Sequence, residues 1–248
     1  MTLEEFAAPE FERRRDLLEK ALLQALAAPE VEAVHKVRTS WRRLEAAVKL
    51  LPWLLSKTRW EEFRPRMKSL MRASAELRDR DNALLRLERF EPLCLAILGQ
   101  RKLWESEFHR RAEAMLPYAL PLRKRFPAEA QQDAAAEAER IIEDLEIRTA
   151  AERARLGPGS KTEEWHRFRI LTKRERYSLE FFSDLNDKFA KRADFIKARQ
   201  DTLGAVEDIV AAVRVALAAA PEKRLIREAL DFLEVELRHK LEALDVME

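Results

Sequence analysis

The chain has 248 residues, 47% of them apolar and 37% charged, which is enough apolar material for one large domain or two modest ones. A formal net charge of only +2 excludes a uniformly basic protein that would coat any polyanion, so an anion site must come from segregated charge. Four glycines, with no Asn-Gly or Asp-Gly pair, exclude a hairpin-rich β fold, and the abundance of Leu, Ala, Glu and Arg predicts an all-α protein.

The first element is expected near 3–27, opened by the capping-box spacing Thr2 to Glu5 and broken at Pro9. The second, near 31–55, carries "VHKVRTSWRRLEAAVKLL". At about 100° per residue, His35, Arg38, Arg42 and Lys49 share a narrow sector with Arg43 on its flank, and only Glu45 interrupts the row. Val37, Trp41, Leu44, Val48 and Leu51 form a separate apolar stripe. A third helix is expected near 58–90, with capping-box spacing from Thr58 to Glu61, and a fourth near 93–115. Cys94, the single cysteine, lies between Leu93 and Leu95 and reads as a buried, inert thiol.

The stretch "LPYALPLRKRFPAEA" holds three prolines and marks a junction. Helices follow near 129–155, 161–183 (spacing Ser160 to Glu163), 187–219 and 222–246. Pro29, Pro52, Pro92, Pro121, Pro127, Pro158 and Pro221 stand at or near the breaks.

These eight stretches read as four, twice. "WHRFRILTKRERYSLEFF" aligns with the second helix at an offset of 131 residues: His35 with His166, Arg38 with Arg169, Arg42 with Lys173, Arg43 with Arg174. A second echo follows each: "KSLMRASAELRD" (Lys68 to Asp79) and "KARQDTLGAVED" (Lys197 to Asp208). The same order of elements twice predicts a duplicated four-helix unit, 1–118 and 119–248, as two bundles related by a pseudo-two-fold axis.

In the second copy His166, Arg169, Lys173 and Arg176 share a sector, with Tyr177 adjoining and Arg174 flanking. Two such rows facing one groove would repel, by roughly 0.6 kcal/mol per pair about 7 Å apart in water and more near a protein surface. A polyanion removes that cost and gains charge-assisted bonds from planar guanidinium forks. A solvated charged face, and a satisfied histidine at the core boundary, are the plainer alternatives.

"VHKVRTSWRRL" and "WHRFRILTKRERYSLEFF" resemble the two signature helices of the CHAD family, the conserved histidine α-helical domain, and "ELRDRD" and "QDTLGAVED" resemble the signatures that follow them. The resemblance covers nearly the whole chain. It implies two pseudo-symmetric four-helix bundles with a central basic channel that binds inorganic polyphosphate. Carried over, phosphate contacts fall at His35, Arg38, Arg42, Arg43, His166, Arg169, Lys173, Arg174 and Arg176, with Lys68, Arg72 and Lys197 as weaker positions. Asp79 and Asp208 match acidic positions that orient basic residues. The sequence departs from the family pattern at Glu45, Leu171, Glu175 and the Ser74-Ala75 pair, where the second copy keeps Leu203-Gly204.

A metal-dependent phosphohydrolase is one rival reading, against which no H-E-x-x-H, Walker loop or paired cysteines stand in the sequence. A nucleic-acid binder is another, but Trp41 and Trp165 fall with the apolar stripes and read as core, leaving only Tyr177 to stack on a base. Docking of an acidic protein partner is a third. The expectation is a non-catalytic binder of inorganic polyphosphate, without cofactor or metal. It is expected in the cytoplasm or at polyphosphate granules, alongside polyphosphate-metabolising enzymes, with no membrane span.

Overall fold

Proline, which lacks an N–H and clashes with the preceding turn, divides the chain into helices. The computed structural model describes residues 1–116, 120–157, 160, 162–219 and 223–245; the side chains of 162, 163, 166, 199, 201–203, 223, 225 and 240–245 lie outside that description. Eight α-helices result among the described residues: α1 (Leu3–Ala27), α2 (Val31–Leu50), α3 (Lys57–Arg86), α4 (Glu91–Glu113), α5 (Ala134–Ala154), α6 (Thr162–Phe181), α7 (Asp187–Ala219) and α8 (Lys223–Asp245). The protein is all-α; Thr2 and Asp133 make an isolated antiparallel bridge and no strand forms among the described residues.

The ends follow local chemistry. Thr2 and Glu5 close a reciprocal capping box: Thr2 N–H donates to Glu5 Oε2 at 2.8 Å, and Glu5 N–H to Thr2 Oγ1 at 3.2 Å. Pro9 does not break α1, which runs through it. Pro9 is the seventh residue of α1, past the first turn, so the helix forgoes the bond an amide there would give Glu5 C=O and runs on with Leu3, Ala7 and Phe11 buried. The third helix is capped by Ser56, whose Oγ accepts from Arg59 N–H at 3.2 Å, rather than by Thr58. Asp133 caps α5 by accepting from Ala136 N–H at 3.0 Å. The proposed Ser160 cap runs into residues outside the description; Ser160 Oγ accepts from Gly157 N–H at 2.9 Å. Pro117, Pro158 and Pro221 also lie outside it.

The chain divides into two compact units. Unit 1 comprises Met1–Glu19, Thr39–Phe63 and Ala119–Ala198; unit 2 comprises Lys20–Arg38, Arg64–Tyr118 and Arg199–Glu248. Each draws on both halves of the chain, and α1, α2, α3 and α7 contribute residues to both.

Unit 1 is held by aromatic packing. Phe6 lies 5.8 Å from Phe181 (edge-on) and 5.9 Å from Phe182 (stacked). Trp41 stacks on Trp60 at 5.7 Å beside Phe63. The segment before α5 is tied down here, with Arg123 N–H donating to Leu54 C=O at 3.0 Å and Phe126 packed edge-on against Trp53. Unit 2 has an aliphatic core: Ala83, Leu87, Leu93 and Ile97 pack with Ile209, Ala212, Val215, Ala216, Ala229 and Leu233. The predicted α2 stripe is wholly buried, from Val37 through Trp41, Leu44 and Val48 to Leu51.

Three expectations about burial are corrected. Trp165 is 40% exposed rather than core; Arg153 covers its ring at 5.8 Å and Phe168 meets it edge-on. Near the turn between α5 and α6 there is a guanidinium, not a core, for the indole to pack on. Tyr177 is buried (6% exposed), with the Arg176 guanidinium 4.6 Å above its ring, so it offers no face to a base. Cys94 is half-buried rather than buried; its thiol donates to Leu87 C=O at 3.0 Å, and desolvation pushes its pKa up.

Candidate anion-binding site

In unit 1, α2 supplies Arg42 and Arg43, α6 supplies Arg169, Lys173, Arg174 and Arg176, and α7 supplies Lys197. Because α6 folds back along α5, Arg167 reaches Glu152 at 3.3 Å beside the connecting turn. That packing leaves the basic row of α6 off the apolar face, and Leu179, Phe181 and Phe182 fill the core.

Two residues of the predicted set, one from each copy of the motif, converge on a single carboxylate. Arg43 Nε donates to Glu180 Oε2 at 2.8 Å, and Arg176 Nε lies 3.5 Å from Glu180 Oε1. The second contact is an ion pair without hydrogen-bond geometry, and Arg176 Nε, fully buried, has no hydrogen-bond partner among the described residues. Arg42 and Arg174 make no ion pair among the described residues; Arg42 is half-buried and Arg174 exposed. Arg169 and Lys173 are half-buried and Lys197 exposed. His166 lies on α6, its side chain outside the described residues. Lys49 is bound by Glu45 at 3.1 Å, so that row member is locally neutralised.

Behind this cluster stands Arg14, a residue the sequence reading missed. It is 3% exposed and donates to Glu10 Oε1 (2.6 Å), Arg43 C=O (3.2 Å) and Glu180 C=O (2.9 Å), with its guanidinium 5.0 Å over Phe181. Burial holds its pKa below the ordinary value for arginine, against the opposing pull of Glu10. It clips α1 to α2 and α6 at the residues that form the cluster. A cavity of about 340 Å³ opens beside it, lined by Arg13, Arg14, Arg43, Glu180, Ser183 and Asp194 among others. Helical spacing in "EFERRRDLL" cannot show this, because two of Arg14's acceptors are carbonyls of distant helices.

Unit 2 gathers the remaining predicted residues. His35 Nδ1 lies 3.4 Å from Arg78 Nη1, and Arg78 reaches Asp208 at 3.7 Å. Arginine can only donate, so in this contact the imidazole Nδ1 is the acceptor. Arg38, 9% exposed, donates to Met71 C=O at 3.2 Å and Ser74 Oγ at 3.0 Å. Ser74 is one of the departures from the family pattern, and here its hydroxyl helps to satisfy a buried cation. Asp79 is paired with Arg214, and Asp208 with Arg78, so each acidic position carries an arginine drawn from the other half of the chain. Desolvation raises the Asp79 pKa, outweighing Arg214 and, more weakly, Arg38 and Arg78. Lys68 and Arg72 are exposed and make no ion pair among the described residues. Arg78 and Arg214 were missed because their partners are distant in sequence; only the adjacency of Arg78 to Asp79 in "ELRDRD" hinted at the first.

Glu175, at a position where the motif normally carries an apolar residue, is buried and held by Arg192, whose Nη2 lies 3.0 Å from Oε1; Arg192 also reaches Glu146 at 3.0 Å. Among the described residues no three His, Cys, Asp or Glu side chains converge as a metal site requires, and no helix is long and apolar enough to cross a membrane.

Comparison with known proteins gives a consistent answer. The chain superposes on the CHAD domain from the plant Ricinus communis with a TM-score of 0.71 at 23% identity, covering 96% of this chain and 86% of that one. It superposes on PptA from Streptomyces chartreusis with a TM-score of 0.62 at 20% identity, covering 98% and 96%. No characterised relative matches it by sequence. The CHAD domain family model matches residues 11–217, which spans both copies of the histidine-bearing helix, and the chain therefore belongs to the CHAD domain family.

Proposed function

We propose that the protein binds inorganic polyphosphate, without catalysing its breakdown, through the cationic rows of α2 and α6 in unit 1. The observation that carries this is the meeting of Arg43 and Arg176 on one carboxylate, with the buried Nε of Arg176 lacking a hydrogen-bond acceptor among the described residues. Guanidinium groups from two separate helices, held within reach of the same anion, are the arrangement that grips neighbouring phosphates of one chain. Arg42 and Arg174, without ion pairs among the described residues, extend the rows. Membership of the family supports the same ligand.

In this reading the chain is an internal duplication, 1–118 and 119–248, whose two copies of the motif line a single basic groove. Within unit 2, Asp79 and Asp208 orient arginines rather than touch phosphate. Recruitment to polyphosphate granules, near the enzymes that make or consume the polymer, follows from such binding. Nucleic acid is disfavoured because Tyr177 and Trp41 are buried, so neither offers a face to a base. Trp165, 40% exposed with Arg153 over its ring, is the site at which stacking would have to occur.

Calorimetric titration with long-chain polyphosphate, orthophosphate, single-stranded DNA and RNA tests the reading. Tight binding is expected for the first alone. Equal affinity for the nucleic acids overturns the selectivity, and phosphate release with added Mg²⁺ or Mn²⁺ supports a hydrolase instead.

A further inference from the structure

The two copies of the motif carry the same short ion pair with its signs reversed. In the first copy Glu45 binds Lys49; in the second, at the same offset of 131 residues, Arg176 pairs with Glu180. Both pairs lie in unit 1. The consequence is unequal for the flanking arginines, Arg43 and Arg174. Arg43 finds Glu180 across the helix interface, whereas Arg174 is exposed and makes no ion pair among the described residues. Glu180 is mostly buried, is approached by two guanidiniums, and has its own backbone carbonyl clamped by Arg14.

We propose that Glu180 is a resident competitor for the anion site: its carboxylate occupies the place of a phosphate between Arg43 and Arg176, and an incoming polyphosphate must displace it. This rests on the polyphosphate reading of the same residues. The carboxylate offers Arg43 one hydrogen bond and leaves Arg176 Nε unsatisfied, whereas a phosphate, with more acceptor oxygens, can serve both. Displacement costs a fixed amount once per site. A long chain that also engages Arg42, Lys173 and Arg174 offsets it over several contacts, and a single phosphate does not. Glu180 therefore lowers affinity for all phosphates by a similar factor, which leaves a long chain bound while a single phosphate falls below useful affinity.

The test uses the full chain and long-chain inorganic polyphosphate in calorimetry, comparing wild type with Glu180→Gln. The variant keeps an oxygen acceptor for Arg43 but removes the charge, and it is expected to bind about three- to tenfold tighter. Its salt dependence should steepen by about one counterion. Glu139→Gln, on the exposed face of α5, makes the same change in net charge and should leave affinity within about twofold. If Glu180→Gln does not fold, Glu180→Asp draws the carboxylate back from Arg43 and should bind about two- to threefold tighter than wild type. Unchanged or weaker binding by a folded variant, or an equal gain in Glu139→Gln, overturns the inference while leaving the polyphosphate reading intact. Failure of both wild type and Glu180→Gln to bind overturns both.

Discussion

Replacing Arg14 by methionine isolates the clip that holds the cluster together. Methionine keeps much of the stem volume, so packing against Phe181 is largely retained. What is lost is one bond to Glu10 and the donors to two carbonyls, those of Arg43 and Glu180. Glu10 is not orphaned, because Arg13 grips both its oxygens at 2.7 Å. The carbonyls lose a buried, charge-assisted donor, and such bonds contribute about 1.5–3 kcal/mol each. Relief of the desolvation that depresses the Arg14 pKa offsets part of this. The net expected loss is about 3 kcal/mol, at the lower edge of what removal of one buried ionic partner costs. For a chain of this length that is a fall of about 6 °C in Tm, since each kcal/mol shifts Tm by about 2 °C. Scanning calorimetry on wild type, Arg14→Met and Arg14→Lys reads it directly, with the lysine variant about halfway between. A loss below about 1 kcal/mol for Arg14→Met would mean that the helices are set by apolar packing alone and that Arg14 does not position Arg43 and Glu180.

Other perturbations probe separate links. Arg42→Glu with Lys173→Glu should abolish polyphosphate binding while helical circular dichroism is retained; unfolding of the double variant would assign those cations to structure. Because burial raises the Asp79 pKa in the fold, its contribution to stability is present below the ordinary carboxylate value of 3.8 and lost as pH rises through the raised value. Asp79→Asn should therefore gain on wild type in urea unfolding as pH climbs through that window, and a gap that does not change with pH refutes the assignment. Glu175→Leu restores an apolar residue at a buried site and should cost less than about 1 kcal/mol, whereas Arg192→Ala strands the carboxylate and should cost about 2–4 kcal/mol in the same assay.

What the sequence made legible follows from local rules. Helical periodicity, capping chemistry and proline place the eight α-helices of the described residues, because those signals act over a turn or two. Pro9 misled because a proline inside a helix removes one hydrogen bond, here to Glu5 C=O, without ending a helix whose Leu3, Ala7 and Phe11 are buried. Trp165 misled because periodicity reports which face is apolar, not whether another element covers it. The basic rows of α2 and α6 were visible as sectors, but their partners were not. Arg14, Arg78, Arg214 and Glu180 act across helices far apart in the chain, and nothing in a helical period marks a residue that bonds a distant carbonyl. Arg38 shows the limit within a row: it lies in line with His35 and Arg42, yet is buried against Met71 and Ser74.

The most direct test is a structure of the protein bound to a polyphosphate chain. One continuous chain is expected to bridge α2 and α6, with phosphate oxygens within hydrogen-bond distance of both Arg43 and Arg176 and the Glu180 carboxylate turned away. A chain lying along one helix only, or bound elsewhere with the Arg43–Glu180 pair undisturbed, contradicts this.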